Sequence, residues 1–214
     1  LSSLSLSLVE ASKPVKTIIG MAAFAIIIGQ GAQAKETGIA PERNVIVCIE
    51  RPNQVLTISA AQALASRMFA GIGVELEWHS SHRCPLSGDV VKISFSFKTP
   101  TADHADALAY AYPYEGTHIV VLYDRVKICA REGRPQELLA YVLVHEITHI
   151  LQGVSRHSES GIMKASWNQT DYYDMSRGTL QFTSADIDLI NGGLNKRTAK
   201  LSPQDPLLLE SRLR

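Results

Sequence analysis

Residues 135–152, PQELLAYVLVHEITHILQ, constrain the chain more than any other stretch. Pro135 stands near the start, where a helix tolerates it, and Gly153 follows directly, where a helix stops. The segment predicts one long helix. His145 and His149 lie four apart on it, hence on one face, one turn apart. Ile147, Ile150 and Leu151 make the other face apolar. Two imidazoles at this spacing can reach one metal ion at zinc–nitrogen distances of about 2.0–2.1 Å. Glu146 points about 100° round the helix from His145. It falls beside such an ion rather than on it, which suits a general base for a metal-activated water. From the chain's own residue frequencies, H-E-x-x-H arises by chance in about one such chain in a hundred. The plainer alternative is a helix whose histidines are solvated or hydrogen-bonded.

A catalytic zinc usually takes three protein ligands and keeps one position open. Gly153 can end the helix with positive φ and turn the chain back. His157, four residues on, is therefore the candidate third ligand, with Glu159, Asp171 and Asp174 as acidic alternatives downstream. A structural zinc is normally closed by four protein ligands. Three good candidates and an intact Glu146 favour one catalytic zinc ion in an enzyme over a metal-binding module without turnover.

The rest of the chain supplies a scaffold. With 214 residues, 45% of them hydrophobic, it is long enough for one globular domain with a sizeable core. Its 21 basic and 21 acidic residues give no electrostatic case for nucleic acid or an anionic membrane surface. NVIVCIE (44–50), VELEWH (74–79), DVVKISFSF (89–97), ALAYAYPY (107–114) and THIVVLYDRV (117–126) read as strands, with Pro113 placing 107–114 at a sheet edge or strand end. ISAAQALASRMFAGIG (58–73) reads as a helix stopped by Gly71 and Gly73. FTSADIDLINGGL (182–194) reads as a last helix, capped by Thr183 or Ser184 and stopped by Gly192–Gly193. The order β-α-β-β-β-β-α, then loop and α, predicts an α+β (α/β-like) domain with a mixed sheet and helices packed on one side.

The first residues read as an export signal. KPVK (13–16) supplies positive charge, TIIGMAAFAIIIG (17–29) a short apolar core, and AQA (32–34) small residues at a cleavage site. A membrane anchor needs about 20 apolar residues, and this run is broken by Gln30 and Gln33. The expected organisation is a signal peptide at 1–34, a linker at 35–43, a domain at 44–200 and a tail at 201–214, with a mature chain beginning near Lys35. Outside the cytoplasm a disulfide is expected among Cys48, Cys84 and Cys129, leaving one thiol. Cys84 sits in a loop signal and Cys129 at the end of a strand-like run, so Cys84–Cys129 is the preferred pairing. Cys48, inside NVIVCIE, reads as a buried core residue.

HEITHILQGVSRHSESGIM (145–163) resembles the metzincin zinc-peptidase signature and, within that clan, is similar to the matrixins. The resemblance implies His145, His149 and His157 as zinc ligands, Glu146 as general base and Met163 as the methionine beneath the metal. Ser158 after the third histidine fits it too. It also implies a mixed, mostly parallel twisted sheet with an antiparallel edge strand, an active-site helix and a C-terminal helix. Two departures stand out: Gly153 lies four residues after His149 where the pattern has three, and His157 eight where it has six. Another half-turn of helix and a longer turn would absorb them. The implied activity is a secreted endopeptidase, expected to be monomeric, without stable membrane association once the signal is cut. It would act on a peptide or protein laid along the edge strand 107–112. Trp167 would wall the pocket for the side chain after the cut or pack in the core. Tyr172 and Tyr173 are candidates for an oxyanion hydrogen bond or for packing.

Overall fold

The computed structural model describes residues 43–50, 55–86, 89–97, 107–130 and 133–201. The expected signal segment 1–34 lies outside them, as do nearly all of 35–43 and 201–214.

Alternation builds the sheet. In β1, Arg43–Ile49, the side chains of Val45, Val47 and Ile49 are buried on one face. The chain then enters α1, Val55–Ala70, which buries Ile58, Ala61, Ala65 and Phe69 at helical spacing. It returns as β2, Val74–Ser80, parallel to β1 with Val45 opposite Leu76 and Val47 opposite Trp78. A short 3-10 turn at Ser81–Arg83 leads towards β3, Val91–Ser96, which pairs parallel on the other side of β1. β4, Ala109–Ala111, pairs antiparallel with β5, His118–Leu122, which itself lies parallel to β3. The strand order is β2-β1-β3-β5-β4, so the sheet is mixed and mostly parallel with an antiparallel edge strand, as expected.

The long helix α3, Pro135–Gln152, is buried on every side from Leu138 onward. It packs against α1, β4 and β5. Two further helices close over it: α4, Gln169–Arg177, and α5, Ser184–Leu201.

Four expectations need correction. First, 117–126 is not one strand. β5 ends at Leu122 and α2, Tyr123–Cys129, follows. Its helical spacing shows in buried Tyr123 and Val126, and Asp124 pairs with Lys127 one turn on at 2.7 Å. Val126, one of the β-branched residues that suggest a strand, serves equally on the inward face of this short helix. Second, the stretch after Met163 is not all loop. Asn168 caps α4 with its side chain on the Thr170 and Asp171 amides, and Asp171 reciprocates on the Asn168 amide. Third, Gly192–Gly193 do not stop the last helix, which runs on to Leu201. They lie where α5 crosses α3. A Cβ on Gly193 would sit 1.8 Å from the Leu151 carbonyl oxygen, so only glycine permits this approach.

The fourth concerns the disulfide, which joins Cys48 to Cys84 instead of Cys84 to Cys129. Cys48 lies opposite His79 in the β1–β2 ladder, and the 3-10 turn after β2 brings Cys84 back to a Cα separation of 5.6 Å. Cys48 is buried, as expected, but under this bridge. Cys129, at the end of α2, is an exposed free thiol.

Closing a loop across 36 positions restricts the unfolded chain by about 4 kcal/mol at most in the chain-entropy treatment. Cys84→Ala should therefore lower the denaturation midpoint by an amount equivalent to roughly 2–4 kcal/mol. The native protein should titrate a single thiol with a chromogenic disulfide, and the reduced, unfolded chain three. Three reactive thiols in the oxidised native protein would contradict this pairing.

Candidate metal centre

α3 carries His145, Glu146 and His149 into the interior, where they are 8%, 8% and 5% exposed. Buried polar groups need partners, and each histidine finds one on the backbone. His145 Nδ1 lies 2.9 Å from the Ile162 carbonyl oxygen, and His149 Nδ1 lies 3.1 Å from that of Val154. A carbonyl can only accept, so each Nδ1 carries its ring proton and each Nε2 is left with a bare lone pair. These two Nε2 atoms face each other at 3.1 Å. With no proton between them the contact is not a hydrogen bond. It is two donors of electron density aimed at one point, the arrangement a cation would relieve.

The helix ends as the sequence suggests. Gly153 takes the left-handed conformation, φ 68°, and its amide caps onto the His149 carbonyl. The departure in spacing is absorbed by helix continuing to Gln152, followed by an irregular turn through 154–157. That turn delivers both the Val154 carbonyl and the His157 ring. His157 lies with its ring centre 5.3 Å from that of His145 and 4.9 Å from that of His149. The ligand atoms of the three histidines all fall within 4.8 Å of one another, close enough to bind one metal ion. Asp171 does not join them: it pairs with Lys164 and closes the α4 cap. Asp174 accepts from Thr179 at the far end of that helix.

Residues on either side of His157 hold the turn. Arg156 and Ser158 both donate to Oδ1 of Asp186, which is fully buried in the first turn of α5. Its other oxygen accepts from the amide and hydroxyl of Thr183, the residue that caps α5. Burial alone would raise the Asp186 carboxyl, but the bonds from Ser158, Thr183 and Arg156 hold it below the usual range. Asp186 thus ties the loop bearing the third histidine to the C-terminal helix. The sequence marks Asp186 only as a first-turn residue; nothing local in it signals the second role. The Ile162 and Val154 carbonyls are equally invisible to a reading of side chains.

A cleft of about 470 Å³ opens beside the histidines, bounded by Leu108 and Ala109 at the sheet edge, Glu146 and Trp167. Met163 is fully buried. Trp167 meets the His145 ring edge-on at 5.5 Å and donates to the Ile162 carbonyl, so it both packs and lines the cleft. Tyr172 lines it as well, whereas Tyr173 points to solvent, 59% exposed. Cys129 also borders this cleft, a placement the expected pairing leaves out.

Burial governs the charges. Desolvation holds His145 down to about 3, with His149 and His157 adding repulsion, and holds His149 down to about 4. Desolvation pushes Glu146 up to about 8, against the Ala111 amide of β4, which donates to it. Between about pH 6.5 and 4 the unfolded chain takes up protons that the two folded histidines refuse, so stability falls as pH falls. Between about pH 8 and 4.5 the folded chain holds a proton on Glu146 that the unfolded chain releases, so that contribution grows as pH falls. The metal-free protein should therefore melt highest near about pH 6.5 and lose roughly 3–5 °C per pH unit just below it. Calorimetry of chelator-treated protein across pH 4–9 checks this; a melting temperature that climbs steadily to pH 9 would contradict it.

No protein-family model matches the chain, and no curated protein matches it significantly.

Proposed function

We propose that the protein is an exported, zinc-dependent endopeptidase of metzincin type that acts on peptide or protein substrates. One observation carries the reading: two buried imidazoles present unprotonated Nε2 atoms to one point at 3.1 Å, with a third histidine alongside and a buried carboxylate on the same helix. His145, His149 and His157 would hold the ion. Zinc, when bound, supplies Lewis acidity that lowers the pKa of a water toward about 7 and polarises a carbonyl.

The chain's own residues would do the rest. Glu146 takes a proton from the attacking water onto its carboxylate and passes it to the departing amine. Burial favours its protonated form, which suits holding that proton between the two steps, while the charge of a bound cation would favour the carboxylate that accepts it. β4 is an edge strand bordering the cleft, so it can align an extended substrate through backbone hydrogen bonds. The resemblance of HEITHILQGVSRHSESGIM to the metzincin signature supports the same chemistry. The Cys48–Cys84 disulfide supports export, because such bonds persist in oxidising compartments. Among the described residues no helix is long and apolar enough to cross a membrane.

Glu146→Gln keeps the shape and removes the proton acceptor. It should retain zinc and fold while peptide hydrolysis drops by about 10²–10⁴-fold. Wild type should bind one zinc per chain, and His157→Ala should weaken that binding. A Glu146→Gln variant that cuts as fast as wild type would sink the mechanism. Full zinc affinity in His157→Ala, with loss in Asp171→Ala or Asp174→Ala, would reassign the third ligand. Broad peptide libraries left intact by zinc-loaded wild type would favour a binding module.

A further inference from the structure

We infer that Asp186 is the positioning residue for the third metal ligand: by binding the residues on both sides of His157 it sets where that ring stands, and so how tightly the site keeps its ion. The inference rests on the three-histidine reading of the site and needs no particular reaction.

The three rings are not held alike. His145 and His149 are buried on α3, and each has its Nδ1 fixed on a backbone carbonyl. His157 is exposed and stands in the irregular turn after the helix. Among the described residues no hydrogen bond reaches its ring. A metal-bound imidazole ordinarily has its other nitrogen held by an acceptor, which fixes the ring. At His157 the hold has to come through the backbone instead.

One carboxylate oxygen supplies it. Arg156 Nη1 and Ser158 Oγ both donate to Asp186 Oδ1, at 3.3 and 2.5 Å. With both neighbours bound to a single atom, the residue between them has little room to swing away. Bonds to a charged acceptor are roughly twice as strong as neutral ones. The carboxylate is itself fixed. It is fully buried, and its Oδ2 accepts from the Thr183 amide and hydroxyl at 3.1 and 2.6 Å. It cannot turn without giving up bonds that no water is there to replace. The third histidine is thus placed from α5, whereas the first two are placed from α3 and the carbonyls that meet it.

The test is a double-mutant cycle on zinc affinity, measured on the full chain by competition with a chromogenic chelator, each variant first checked for fold by circular dichroism. Asp186→Ala removes the carboxylate. A second variant, Arg156→Met with Ser158→Ala, removes the donors and leaves Asp186 and the α5 cap in place. Each is made in wild type and in His157→Ala. In wild type each should weaken zinc binding by roughly 10–100-fold. Loss of the Arg156 charge would by itself favour a cation, so weakening in the second variant cannot be put down to charge. In the His157→Ala background there is no third ring left to position, and each should cost about twofold at most. A merely structural role would cost the same in both backgrounds. Equal losses in the two backgrounds, or no loss in either, overturn the inference and leave the three-histidine site standing. If Asp186→Ala does not fold, the second variant decides alone by the same comparison. Full zinc affinity in His157→Ala overturns the third ligand and this inference together.

Discussion

Two backbone carbonyls decide what the buried histidines of α3 can do. Ile162 and Val154 each take the Nδ1 proton of one ring and so leave both Nε2 lone pairs pointing at a shared position. Without those carbonyls either ring could turn its proton the other way, and the two nitrogens could hydrogen-bond to each other. That would satisfy the polar groups and close the site. The fold instead satisfies one nitrogen of each ring and leaves the other in a mutual repulsion. Burial keeps the rings neutral, which is the form a metal requires.

Both carbonyls belong to the segment that leaves α3 and doubles back beneath it, so the segment's conformation matters as much as the helix. It is held from three directions. Gly153 caps the helix and turns the chain. Ser158 donates its amide to the Met163 carbonyl, and Ile162 donates to the Gln181 carbonyl, which fixes the return. Asp186 binds Arg156 and Ser158 on either side of His157. α5 therefore serves the site as well as the core, and its close crossing of α3 at Gly193 brings Asp186 within reach of the loop. Arg197, further along α5, adds bonds to the carbonyls of Ile150, Gly116 and Asp89, tying the helix to α3 and to the loops at the sheet's end.

The sequence was most legible where one residue type has one physical use. Alternating valines and isoleucines marked β1 and β3, and the i, i+4 histidines with their following glycine marked the helix and its end. It was least legible where one residue has two. Gly192–Gly193 can stop a helix or let another helix approach, and only the packed structure shows the approach. The run from His118 to Val126 is β-branched enough for a strand, yet its second half has helical burial, with Tyr123 and Val126 inward and Ile128 outward. The same ambiguity reaches the cysteines, since a strand there would place Cys129 at its end. The α4 cap, Asn168 with Asp171 three residues on, was readable by the same rule that found the α5 cap. At the site, the three histidines and Glu146 came from side-chain pattern, whereas the carbonyls that aim the rings have no sequence signature at all.

The central claim is that His145, His149 and His157 together bind one metal ion through nitrogen. X-ray absorption at the zinc edge of the loaded protein reads this directly. Three imidazoles should appear as nitrogen scatterers at about 2.0–2.1 Å with the outer-shell multiple scattering that histidine rings produce. Loss of one imidazole's share in His157→Ala would identify the third. A spectrum with a sulfur scatterer at about 2.3 Å, which the cleft-lining Cys129 could supply, or with only two imidazoles in wild type, would contradict the account.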